Sequence, residues 1–282
     1  TADATGNWSI TPASALADGA RLTVTSTDAV GNQSAPATVI VDATLPPRPT
    51  IEPSNGGELS GTALAGATVQ LTDGTGAVIG QAVADGQGNW TFTPQTPLAN
   101  GTTVNATITV AGLSSAPAST VIDSVAPNAP TIAASNGTQL SGTAEAGATV
   151  ILTGSGGVSI GQATADANGN WSFTPTPALA DGLVVTAVAR DAAGNSSGSA
   201  ATTIDAQPPA TPTIEASNGV RLTGTAEAGI TVVVTDGSGR VIGQTTAAAD
   251  GSWTLSPSPA LANGTVVNAV ARDILGNTSG SV

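Results

Sequence analysis

Between residues 130 and 205 apolar and polar side chains alternate in short runs, each closed by a turn signal. After the segment PTIAAS, the runs at about 138–144, 148–154, 158–165, 170–175, 183–190 and 198–205 complete seven predicted strands, joined at SNG, EAG, GSGG, DANGN, LADG and DAAGN. Strand side chains alternate between faces, so Trp171 and Phe173 share one face, and the size of both places that face in the core. The same spacing pairs Trp8 with Ile10, Trp90 with Phe92 and Trp253 with Leu255, and all four tryptophans are expected inside.

Those tryptophans fall 81 or 82 residues apart, within GNWSITP, GNWTFTP, GNWSFTP and GSWTLSP. One module has therefore been copied along the chain. Its joints are a short apolar strand, an aspartate and prolines: VIVDATLPPRP, TVIDSVAPNAP and TTIDAQPPATP. Proline fixes φ and cannot donate to a sheet, which makes these connections short and stiff. The expected division is 1–45, the downstream half of a module; 46–126 and 127–208, whole modules; and 209–282, a module lacking its last strand. Residues 1–45 lack the upstream half of their own core.

Composition narrows the chemistry. With 35 Gly, 18 Pro and only 9% charged residues, the chain has the turn density of an all-β sandwich protein. It has no Cys, His, Lys, Met or Tyr, which removes the usual nucleophiles, bases and Schiff-base amines and the usual ligands of zinc, copper and haem. No enzymatic activity is expected. A formal charge of −13 argues against nucleic acid and anionic lipid as partners. No run of apolar residues is long enough to insert in a membrane.

In a sandwich of alternating strands, the second, fourth and sixth loops gather at the end where the chain enters, and the preceding module delivers its exit residue there. This brings Asp123 toward Glu145, Asp166, Asp191 and Asn195, and Asp205 toward Glu227, Asp250, Asp273 and Asn277. Carboxylates so placed repel one another unless a cation joins them, and a flexible all-oxygen set suits Ca²⁺. The expected ligands are Asp123, Glu145, Asp191, Asp205, Glu227 and Asp273. The module at 46–126 is the internal contrast. Leu64 stands where the others have Glu145 and Glu227, and its short loop TVAGLS at 109–114 has neither Asp nor Asn. Its joint, where Asp42 finds only Asp85 as a possible acidic partner, is expected to be ion-free or weak and packed around Leu64. Asp-Gly pairs at 73–74, 85–86, 236–237 and 250–251 read as hairpin turns. The corner acid Asp18 or Asp181 is replaced by Asn100 or Asn263, so it serves a turn and not a charge.

GTAEAGATV, NGNWSFTP, LADG, ARDAAGNSS and the closing IDAQPPATP together resemble the bacterial immunoglobulin-like repeats of large, biofilm-associated surface adhesins secreted by a type I route. The resemblance covers essentially the whole chain. It implies tandem seven-stranded antiparallel immunoglobulin-like sandwiches in a linear array, forming a stalk on a Gram-negative cell surface with Ca²⁺ between modules. The partners it implies are the neighbouring repeats, and a host or abiotic surface reached through other parts of the protein. A glycan-binding or accessory module of an extracellular polysaccharide-degrading enzyme is the other reading. That role calls for an exposed aromatic platform.

Overall fold

The computed structural model describes residues 1–282 and is all-β apart from one short 3₁₀ turn at Ser155–Gly157. No helix is long and apolar enough to cross a membrane. Two compact units divide the chain, Thr1–Val125 and Ala126–Val282.

The second unit holds two repeats. In the first of them β10 (Leu140–Thr143) pairs with β13 (Asn170–Phe173), while β11 (Thr149–Thr153), β12 (Ser159–Thr164), β14 (Val184–Arg190) and β15 (Ser196–Thr203) form a second antiparallel sheet in the order β12-β11-β14-β15. The predicted PTIAAS strand is an extended segment whose Thr131 and Ala133 amides donate to Thr143 and Ser141. It then crosses to the other sheet, where Ser135 bridges Ile204 in parallel. Alternation sets the core: Val150 and Leu152 from one strand and Val185 and Ala187 from another meet Leu140 and Trp171 of the facing sheet.

Trp171 is 3% exposed, and its ring closes over Gly142. A Cβ on Gly142 would stand 2.0 Å from the Thr131 carbonyl oxygen and 3.0 Å from the ring, so only glycine lets the leading segment, β10 and the indole pack together. The Trp171 Nε1–H then donates to that same carbonyl at 3.2 Å.

The next repeat repeats this plan with β16 (Leu222–Thr225) paired to β19 (Ser252–Leu255), and β17 (Thr231–Asp236) between β18 (Val241–Thr246) and β20 (Val267–Arg272). No further strand is formed after β20, but the chain still runs along its edge: Ser279 N donates to Ala271 O, and Ala269 and Val282 exchange both backbone hydrogen bonds. The pairing begins as soon as the chain leaves the Asp273–Asn277 loop, because the β20 edge is open there.

In the first unit, residues 46–125 carry the same sandwich. β3 (Leu59–Thr62) pairs with β6 (Asn89–Phe92), and β4 (Thr68–Asp73) lies between β5 (Val78–Val83) and β7 (Thr103–Val110), which also pairs with β8 (Leu113–Ser114) and β9 (Ala118–Val121). Residues 1–45 form the two-stranded ladder β1 (Arg21–Val24) with β2 (Ala37–Ile40), and Thr27 bridges Gln33. Here the expectation for tryptophan fails. Trp8 is 56% exposed and Ile10 76%, against 2% for Trp90, because no facing half-sandwich covers them.

Candidate functional site: the joint between repeats

Three loops meet at one end of each repeat. Thr149, which follows the Glu145 loop, pairs both with Thr164 at the end of β12 and with Arg190 at the end of β14, so the loops carrying Glu145, Asp166 and Asp191 lie together. β15 runs away from that end, since Thr203 pairs with Val184, and it delivers Asp205 to the opposite end of the repeat. The sequence-based topology is therefore realised within the repeat.

At the joint inside the second unit, Asp205, Glu227 and Asp273 line one cleft of about 520 Å³, together with Gln207, Pro208, Pro209, Ala210 and Ile230. Each carboxylate already accepts hydrogen bonds. Glu227 Oε1 takes the Ala210 N–H at 2.7 Å, and Asp205 Oδ1 takes the Gln207 N–H at 3.2 Å. Asp273 takes the Asn277 N–H on Oδ1 at 2.8 Å and the Asn277 amide on Oδ2 at 2.7 Å. Nowhere in the chain do three acidic side chains converge as a ready metal-ligand group. The donor set suits a hard cation in kind, but a cation has to compete with backbone and amide donors.

Asparagine side chains make the hydrogen bonds that cross this joint. Asn277 Nδ2 donates both to Asp273 and, at 2.9 Å, to the carbonyl of Asp205 in the preceding repeat. Asn136, at the other end of that preceding repeat's chain trace, donates Nδ2 to Leu275 O at 3.0 Å. Sequence reasoning assigned the SNG containing Asn136 to a turn and nothing more. The turn role is real, for Asn136 Oδ1 accepts the Thr138 N–H and hydroxyl, and it hides the second function of the amide.

Asp123 belongs to the first unit, where its N–H donates to Ser54 O and its Oδ1 accepts the Val125 N–H. Glu145 and Asp191 belong to the second unit. Asp191 closes its loop as Asp273 does, accepting the Asn195 N–H and amide at 2.8 Å each.

The joint inside the first unit has another chemistry. Its cleft is lined by Leu45, Pro46, Pro47, Leu64, Val110, Ala111 and Leu113, together with Asp42 and Thr44. Asp85, the possible partner of Asp42, is not there; its Oδ1 accepts the Gln87 and Asn89 amides. The shortened loop is a two-residue turn with Ala111 at φ +52 and Gly112 at φ +84, pairing Val110 with Leu113. Loss of the acid and the asparagine thus accompanies an apolar joint.

The other acids are turn formers. Asp73 and Asp236 close the β4–β5 and β17–β18 hairpins. Asp85 and Asp250, expected in hairpins too, instead turn the chain from one sheet to the other, because β6 and β19 pair with β3 and β16. At the corner, Asp18 and Asp181 accept the Ala43 and Ala206 N–H, and Asn100 Oδ1 accepts that of Ser124 in the same way. An acceptor is all that this position supplies.

The sequence model described as the bacterial Ig domain matches residues 1–43, 46–123, 126–207 and 208–282. No curated protein matches. Among solved structures, a biofilm-associated protein, BSP domain, is 13% identical with a TM-score of 0.28, covering 83% of this chain and 64% of that one. This chain thus spans less than two thirds of that structure's length. The FN1–FN3 domains of chicken CNTN1 are 12% identical with a TM-score of 0.34, over 84% of this chain and 97% of theirs. Domains A168–A170 of titin are 11% identical with a TM-score of 0.28, over 83% and 96%.

Proposed function

The chain belongs to the bacterial Ig domain family, and from that premise we propose that it is a run of load-bearing spacer repeats from a cell-surface adhesin, outside the cell, with Ca²⁺ taken up at the Asp205–Ala210 joint. The observation that carries the spacer role is the way each complete repeat ties its two ends. The leading segment and the exit lie side by side: Ser135 bridges Ile204 in parallel, and Asp205 N donates to Ser135 O at 3.0 Å. In the repeat before it, Asp123 N donates to Ser54 O at 3.0 Å. Tension along the chain loads these bonds in shear, so they share the force before any one of them breaks.

Single-molecule stretching of the whole chain tests this. Complete repeats are expected to give way one at a time, each releasing roughly 270–290 Å of chain at ~3.5 Å per residue. A featureless extension at low force contradicts a load-bearing role.

For Ca²⁺, the support is three carboxylates that line one cleft. Residues Asp205, Glu227 and Asp273 would hold the ion, and its charge would relieve their mutual repulsion. Binding draws Glu227 off the Ala210 amide. Sites of this kind bind at ~10⁻⁴–10⁻³ M. By linkage, millimolar Ca²⁺, roughly one to ten times such a Kd, adds about 0.4–1.4 kcal/mol of stability. An unfolding midpoint equal in chelator and in millimolar Ca²⁺ contradicts the calcium reading and leaves the spacer reading standing.

A further inference from the structure

The two cross-joint hydrogen bonds of the second unit run in opposite directions. Asn136, in the upstream repeat, donates to Leu275 O in the downstream one; Asn277, in the downstream repeat, donates to Asp205 O in the upstream one. One such bond leaves rotation about its own axis, whereas two at separate points leave a single orientation. We infer that Asn136 and Asn277 form a two-point amide latch that fixes how one repeat receives the next, and that this latch acts without a metal ion.

Both amides are held before they reach across the joint. Asn136 Oδ1 accepts the Thr138 N–H at 3.1 Å and its hydroxyl at 2.7 Å, which turns Nδ2 outward toward Leu275. Asn277 is gripped by Asp273 at backbone and side chain, which turns its second amide hydrogen toward Asp205. Donors and acceptors of the cross-joint bonds are neutral, so neither a chelator nor salt removes them. A glutamate or aspartate in either place lacks the donor. The downstream partner that fits is a repeat whose β20-type strand ends in a loop closed by Gly-Asn, as Gly276-Asn277 does. The loop at 109–114 has no asparagine, and the repeat bearing it meets residues 42–47 through leucines and prolines instead. The chain therefore carries two kinds of joint, one latched by amides and one apolar.

Residual dipolar couplings on the whole chain in EGTA test this directly, by comparing the alignment tensors of 126–207 and 208–282. The wild-type tensors are expected to coincide. Asn136→Asp keeps the acceptor for Thr138, loses the donor and adds a charge that the control below also adds, so the tensors should diverge as the unlatched population rises at least about fivefold, with core amide shifts of both repeats unmoved. Asn218→Asp is the control: its Oδ1 accepts the Val220 N–H in the same kind of turn, but its amide donates to no other repeat. It should leave the tensors coincident. Tensors that differ in wild-type EGTA samples, or that stay coincident in Asn136→Asp, overturn the latch. Tensors that coincide only after Ca²⁺ is added overturn the latch and favour the calcium reading, while coincidence in EGTA with no response to Ca²⁺ supports the latch and removes the ion.

Discussion

Gly142 shows how much one hydrogen atom decides at the residue scale. Gly142→Ala would drive a methyl into the Thr131 carbonyl and the Trp171 ring. A loss of about 3 kcal/mol is expected, at the upper end for overpacking, because the obstacle is backbone and cannot swing away. Thermal unfolding of that variant checks it, and a midpoint within a degree of wild type contradicts it. The turn aspartates give a second residue-scale outcome. Asp166 is held below the ordinary carboxyl value of 3.8, first by the backbone N–H of Asn170, with desolvation opposing it and the N–H of Asn168 adding to it. Asp73 is lowered first by the Thr75 hydroxyl, and Asp236 first by that of Ser238. Lowered folded values stabilise the fold fully above 3.8 and lose that contribution as pH falls through the folded value. The unfolding midpoint should thus be level from pH 7 to 5 and drop below about pH 4. A drop that starts near pH 6 would implicate other groups.

Among the elements, the β7–β8 turn is the one that departs most from its copies. Ala111 sits at φ +52, where an L side chain other than Asn or Asp costs about 1–2 kcal/mol. Ala111→Asn creates the Asn-Gly pair that such turns favour and should raise stability by about 0.5–1 kcal/mol in chemical denaturation. An unchanged or lowered midpoint contradicts that reading of the turn. The elements themselves were legible in the sequence because alternation and turn residues agreed: the run 183–190 became Val184–Arg190, and 138–144 became Leu140–Thr143. What alternation could not show is which sheet a strand joins. Asp85-Gly86 reads like Asp73-Gly74, yet β6 pairs with β3 rather than continuing from β5, since the indole of Trp90 needs Gly61 beneath it. Trp8 carries the same local signal as Trp90 and is exposed, because burial depends on a facing half that its own flanking residues do not encode.

For the molecule as a whole, the joints matter more than the sandwiches, and there the sequence was half readable. The coincident loss of the Glu145-type acid and the DAAGN-type loop marked the 46–125 repeat as different, and its joint is indeed lined by Leu64, Leu45, Val110 and Leu113. Asp205, Glu227 and Asp273 were expected together, and they line one cleft. The asparagines escaped, because a side-chain amide that closes a turn and one that also donates to a neighbouring repeat have the same local sequence. A Ca²⁺ titration of the whole chain followed by backbone amide shifts tests the account of the joints most directly. Saturable shifts in the 10⁻⁴–10⁻³ M range are predicted around Asp205, Glu227 and Asp273, lost in Glu227→Gln, with the amides around Leu64 unmoved. Shifts around Leu64 and none around Glu227 would contradict it.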